Sequence, residues 1–286
     1  MCMRRGASGA AGHGTSRRAL FGGGMAAAAG AVGALGAARP AAASVPGGGR
    51  VLDLSYTYDP GMPTFHPEKP SSEVIAEPPP DGEMAEGAFY DLRWTLNEHA
   101  GTHLDAPAHV VGGTPSVHEI AAQDLVAPVA VVDVSRRVAD DPDTVVTPAD
   151  IESYERRHGR VPEGAAVVMH SGWGRRWHRG DEAFRGAEFG GGEPYDYHFP
   201  GFGADACEML VHDRGVRGLA VDTLSTDPGN SQEFPVHEAL ARAGRWGLEC
   251  LADVHRLPPR GATLVVGVVP FTDGSGGPCR AIALTR

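Results

Sequence analysis

Apolar and polar positions divide the chain into a long start without periodicity and a body of short, sharply punctuated elements. Val51-Leu-Asp-Leu-Ser-Tyr56 reads as a strand, and Tyr90-Asp-Leu-Arg-Trp-Thr-Leu-Asn97 alternates as a half-buried strand does. Val129–Val134 and Ala165–His170 are continuous apolar runs, the mark of strands covered on both faces. Val216–Asp222, Thr263–Val269 and Cys279–Leu284 add three further strands. A helix is predicted from Thr147-Pro148 to about Arg157, with Thr147 capping and Pro148 in the first turn. Others are predicted over Ala204–Asp213 and over Pro235–Ala243, which Gly244 ends. Four prolines between Asp59 and Pro70 rule out regular structure there, and Glu77–Gly87 is a second loop. Residues 175–203 read as a polar insertion rich in glycine and aromatic residues. Strands alternate with helices after residue 129, while the first part and the end are strand-rich. That order predicts one mixed α/β domain rather than a purely parallel, doubly wound sheet.

The start is chemically different. No Asp or Glu precedes Asp53, while Arg4, Arg5, Arg17, Arg18 and Arg39 all fall there. Ser16-Arg17-Arg18-Ala19-Leu20-Phe21 leads a mildly apolar Gly/Ala run to Ala38, and Ala41-Ala42-Ala43 offers a cleavage site. This resembles a twin-arginine export signal. The expected organisation is a signal over residues 1–43, a linker over 44–50 and a domain over 51–286, with the mature protein periplasmic or secreted. The 42% apolar and 21% charged residues are ordinary for a globular protein. A net charge of −11 argues against nucleic acid and anionic membrane surfaces as partners. The body has no apolar run long enough to span a bilayer. Cys207, Cys250 and Cys279 are widely spaced and read as small buried hydrophobes, with one disulfide left open; Cys2 lies in the signal.

The chemistry concentrates in His99-Ala-Gly-Thr-His103-Leu-Asp105-Ala-Pro-Ala-His109, where three imidazoles and a carboxylate fall within eleven residues. These are the donors that first-row divalent metals take at catalytic sites. A straight strand would put all four on one face but spread them too far, since four residues span ~13 Å. The chain must therefore bend, through a glycine hinge at Gly101 or a single helical turn. His99, His103 and Asp105 would then form a three-donor set with open positions. His109 is either a fourth donor or a nearby base, and Pro107, by arguing against a continued helix, favours the base. His66, His118, His158, His170, His178, His212 and His255 lack such spacing and read as surface or satisfied core residues. His237 and Glu249, twelve apart, are a weak pair on their own.

The motif His-x-Gly-Thr-His-x-Asp-x-Pro-x-His over 99–109 resembles the signature of the metal-dependent cyclase family, which includes bacterial kynurenine formamidase and isatin hydrolase. Met62-Pro63 with Phe65, Ser171-Gly172-Trp173, His198-Phe199-Pro200-Gly201, Asp222–Asp227, Pro235-Val236-His237, Leu248-Glu249 and Leu257–Gly261 follow in the family's order. The resemblance implies a swivelling β/β/α fold assembled as homodimers or homotetramers. It implies His99, His103 and Asp105 as metal ligands, His237 and Glu249 as late ligands of a two-ion site, His109 as catalytic base and Phe65 as a substrate contact. The cofactor would be one or two divalent ions, Zn or Mn. The expected activity is hydrolysis of a small amide, lactam or ester, aromatic or cyclic, with Phe65 and the 175–203 insertion setting the substrate. A cyclisation or dehydration on the same site, or exported metal or ligand binding without catalysis, are the competing readings.

Overall fold

The computed structural model describes residues 48–66, 72–74, 92–191 and 195–286. The export segment with Cys2, linker residues 44–47 and the 77–87 loop lie outside the described residues. The described residues form twelve strands: β1 (Arg50–Asp53), β2 (Ser72–Val74), β3 (Trp94–Leu96), β4 (His103–Asp105), β5 (Val126–Asp133), β6 (Val145–Val146), β7 (Ala166–His170), β8 (Gly201–Phe202), β9 (Gly218–Ala220), β10 (Trp246–Glu249), β11 (Arg260–Val268) and β12 (Gly276–Thr285). Five α-helices accompany them: α1 (Ser135–Val138), α2 (Pro148–His158), α3 (Asp181–Arg185), α4 (Ala204–Glu208) and α5 (Pro235–Arg242). The mixed α/β domain is as the pattern predicts. No helix among the described residues is long and apolar enough to cross a membrane.

Seven strands close into a ring in the order β12-β11-β5-β7-β9-β10-β4 and back to β12. β5, β7, β9 and β10 run parallel, and the remaining joins are antiparallel. β12 makes closure possible because it is ten residues long. Its start, Gly276–Pro278, pairs with β4, and its end, Ile282–Thr285, pairs with β1 on the same flank. Arg50 already pairs with Thr285, so the first strand begins inside the expected linker.

The continuous apolar runs are buried on both faces, and alternation sorts them. Val129 and Val131 of β5 and Ala166 and Val168 of β7 point into the ring, with Leu104, Leu248, Leu264 and Ala283. Ala130, Val132, Val167 and Met169 point outward to a second layer made by Ile151 and Tyr154 of α2, Cys207 of α4 and Leu240 of α5. α2 starts where predicted: Thr147 Oγ1 accepts from Asp150 N, and Asp150 Oδ2 accepts from Thr147 N at 2.8 Å. Such a box is worth about 1 kcal/mol. The helix predicted over 204–213 is α4 running into a π-helical turn, Met209–Asp213. β10 was not legible as a strand, because Gly247 and Glu249 break its apolar pattern.

Candidate metal centre

The histidine-rich stretch bends twice and is a strand between the bends. Gly101 takes a left-handed φ of 64°, and a Cβ there would meet Met62 Sδ at 2.8 Å. The glycine hinge is therefore real, but the helical turn expected for His99 and His103 is not: His103-Leu-Asp105 is β4, central in the ring. The second bend is a 3-10 turn, Pro107–His109, which Pro107 opens rather than prevents. It folds His109 back until its ring stacks on His99, with centroids 3.8 Å apart.

Strand register assembles the rest. His103 lies directly opposite Glu249 on β10, and its Nε2 is 3.4 Å from Glu249 Oε2 and 3.3 Å from Asp105 Oδ1. Asp105 faces Gly247 on one side and Gly276 on the other. A Cβ at Gly276 would lie 2.7 Å from His99 Cε1, so this glycine clears the space that His99 fills. His237 enters from the first turn of α5, with Nε2 3.4 Å from Asp105 Oδ2 and 3.3 Å from Glu249 Oε1. The expected residues 99, 103, 105, 109, 237 and 249 thus meet at the floor of one cavity of about 440 Å³.

Three of the four imidazoles, those of His99, His103 and His237, are oriented from behind. His103 Nδ1–H donates to the Gly101 carbonyl at 2.9 Å, which leaves the Nε2 lone pair facing Asp105 and Glu249. His237 Nδ1–H donates to Asp227 Oδ2 at 2.6 Å, which also leaves Nε2 bare. Asp227 is fully buried and takes the backbone N–H groups of Val236 and His237 as well, so one carboxylate caps α5 and aims its histidine. Ser275 Oγ–H donates to Glu98 Oε2 at 2.8 Å, so His99 Nε2–H donates to Ser275 Oγ at 2.8 Å. The His99 Nδ1 lone pair then faces Asp105 Oδ1 across 2.6 Å. Two acceptors that close require a proton or a cation between them.

The electrostatics agree. Burial works to lower the His103 pKa, but Asp105 and Glu249 overcome it and raise it to about 9. The same opposition, won by Asp105, Asp227 and Glu249, holds His237 well above its usual range. Burial and then Asp105 push Glu249 upward, while His99 and His103 hold Asp105 well below its ordinary value against its own burial. Two buried carboxylates thus create a demand for positive charge. A divalent cation fits it, and neutral imidazoles with secured tautomers are the ligands it takes. Two three-donor groups share Asp105: His99, Asp105 and His109, and His103, Asp105 and Glu249, each with ligand atoms within 4.8 Å of one another. His109 differs from the others. Its ring is exposed towards the cavity, yet desolvation by the walls, followed by the neighbouring histidines, pushes its pKa down to about 4 against the pull of Asp105.

Phe65, Phe234, Leu224, Ala100 and Val110 wall the cavity above this floor. Phe65 is where the sequence placed it. His66, read as a surface or satisfied core histidine, also lines the cavity. Phe234 was missed; it precedes Pro235 and carries a left-handed φ of 50°, unusual for an aromatic residue. The 175–203 insertion is not part of the lining among the described residues. Its aromatic side chains Trp177, Phe184, Tyr197 and Phe199 are buried in a third core with Trp173, Met62 and Leu224. They support the wall from behind.

The family model described as "Putative cyclase" matches residues 52–228. The chain belongs to the cyclase family. Among curated relatives of this chain, the isatin hydrolase of Roseibium aggregatum is 36% identical over 209 residues, covering 70% of this chain and 77% of the relative. A kynurenine formamidase of Bacillus cereus is 24% identical, covering 81% and 95%. Of solved structures, isatin hydrolase A from Ralstonia solanacearum superimposes with a TM-score of 0.73 at 35% identity, over 83% of this chain and 92% of that one. An isatin hydrolase bound to the product analogue thioisatinate gives 0.74 at 31%, over the same shares.

Proposed function

We propose that this chain is a divalent-metal-dependent hydrolase that opens the C–N or C–O bond of a small, flat amide, lactam or ester, in line with its relatives named isatin hydrolase and kynurenine formamidase. One observation carries the reading: three imidazole lone pairs and two carboxylates converge on the floor of a cavity whose walls are aromatic and aliphatic. His103, Asp105, Glu249 and His237 would hold one ion, Zn or Mn, and His99 with Asp105 a second. A divalent ion there supplies a Lewis acid for the substrate carbonyl and lowers the pKa of a water towards about 7.

The chain's own groups do the rest. Phe65 and Phe234 stand 6.0 Å apart at 61° and give a flat ring an apolar face and edge to pack against. His109, neutral at pH 7, accepts the proton of the attacking water on an imidazole nitrogen and returns it to the leaving nitrogen. The donor group formed by His99, Asp105 and His109 supports a second role for His109, as ligand to the outer ion. Metal content separates the two: H109Q that keeps its full metal but loses activity is the base, and loss of one ion equivalent makes it a ligand. The hydrolase reading predicts turnover of isatin, N-formylkynurenine or a simple lactone that stops with chelator. Turnover indifferent to chelator, or full activity in H109Q, would overturn it. The wider proposal includes export by the residue 1–43 segment, checked by N-terminal sequencing of the mature protein, and a homodimer or homotetramer, checked by light scattering.

A further inference from the structure

The wall residue Phe65 is held by a device that lies outside the cavity. Both main-chain carbonyls of the Thr64-Phe65 pair are taken by the segment behind them. Arg185 Nε donates to Thr64 O at 2.6 Å, and Tyr197 Oη donates to Phe65 O at 2.8 Å. A second guanidinium nitrogen of Arg185 donates to Thr64 Oγ1 at 3.0 Å. The ring of Tyr197 also meets that of Phe65 edge-on, with centroids 5.2 Å apart at 82°.

Arg185 is an expensive choice for that place. Its side chain is only 7% exposed, and burying a guanidinium is unfavourable unless its donors are matched. Its carboxylate partner Asp181 is itself 43% exposed and so screened. An apolar residue would pack there at less cost, so packing alone does not account for Arg185. What the guanidinium adds is a fork of donors aimed at a loop more than a hundred residues away in sequence. The base of the device is rigid. His198 N donates to Arg185 O at 3.1 Å, Trp173 Nε1 donates to Phe184 O at 2.7 Å, and a Cβ at Gly186 would collide with the His198 carbonyl.

We propose that Arg185 and Tyr197 are positioning residues that set which substrates the cavity accepts, by fixing Phe65 against Phe234. The proposal rests on the hydrolase reading for its substrate, but the clamp can be tested without it. Losing a neutral buried hydrogen bond shifts an equilibrium by about three- to tenfold, and losing charge-assisted ones by about tenfold or more. Steady-state kinetics on isatin should therefore show KM raised about tenfold in R185M and about threefold in Y197F, with kcat within about twofold and metal content unchanged. R185K, which keeps one donor direction, should fall between wild type and R185M. The double variant F65A/R185M should be no worse than F65A alone, because the clamp acts through Phe65. Unchanged KM in folded Y197F or R185K, or losses that add fully in the double variant, would overturn the proposal. A wild-type protein inactive on isatin, N-formylkynurenine and lactones would fail the hydrolase reading instead. Amide exchange then decides the clamp: residues 64–66 should exchange about tenfold faster in Y197F, and unchanged exchange would overturn it.

Discussion

Two places at the carboxyl ends of the parallel strands bring histidine and aspartate together, and only one is built as a centre. At the end of β10, Glu249 meets His103, Asp105 and His237 with every imidazole oriented from behind. At the ends of β5 and β7, Asp133 and His170 line a smaller polar cavity of about 260 Å³ with Tyr154, His158 and His255. There His170 Nδ1 is 3.4 Å from Asp133, its Nε2 is buried with no hydrogen-bond partner, and no third donor converges on it among the described residues. Residue type is nearly the same in both. Convergence of lone pairs makes the difference, and it comes from register, which sets His103 opposite Glu249, and from glycines 247 and 276 flanking Asp105.

The comparison is open to attack, most forcefully at Asp105. D105N removes the carboxylate common to both donor groups and should abolish metal retention and lower kcat/KM on the order of 10³-fold or more. Retained metal in D105N, read by elemental analysis, would break the contrast. Next is Asp227, which touches no proposed ion. D227N should weaken metal affinity about 10- to 100-fold in a chelator competition, because His237 loses its tautomer and aim. An unchanged affinity would mean that orientation from behind is not what distinguishes the centre.

Smaller effects are expected on the other side. Glu155 of α2 accepts from Arg214 at 2.7 and 2.9 Å, and these bonds hold its carboxyl below the ordinary value. A depressed folded-state pKa contributes stability above the unfolded pKa and loses it as pH falls through the folded value. E155Q should therefore lower stability by about 1 kcal/mol at pH 7, by denaturant unfolding, and the difference should vanish in acid with no change in activity at any pH. H170A, the smallest, should leave activity and metal content within about twofold; a larger loss of metal would make the second cavity a centre too.

The site was partly legible because four of its residues are close in sequence. His99, His103, Asp105 and His109 could be read together, and the need for a bend followed from strand length alone. The form of the bend was not readable. Three residues are too few to show strand periodicity, and β4 is stabilised by two neighbours from the far end of the chain. His237 and Glu249 were a weak pair on their own and gained weight only through the family resemblance, since a helix start and a strand end twelve residues apart carry little mutual signal. Asp227, Ser275 and Glu98 look like ordinary loop residues until the chain folds. The core was easier: Val129–Val134 and Ala165–His170 announced buried strands, and Thr147-Pro148 announced α2. The insertion misled because four of its aromatic residues, Trp177, Phe184, Tyr197 and Phe199, support the wall from behind without lining it.

We propose that Asp105 is the shared metal ligand at the floor of the cavity. Anomalous diffraction from crystals of the manganese- or zinc-loaded protein tests it most directly. A metal peak is expected in contact with Asp105, ligated by His103 or His237 through Nε2 or by His99 through Nδ1. A protein that hydrolyses isatin and retains metal, yet shows no peak at Asp105 and one near His170 instead, would contradict it.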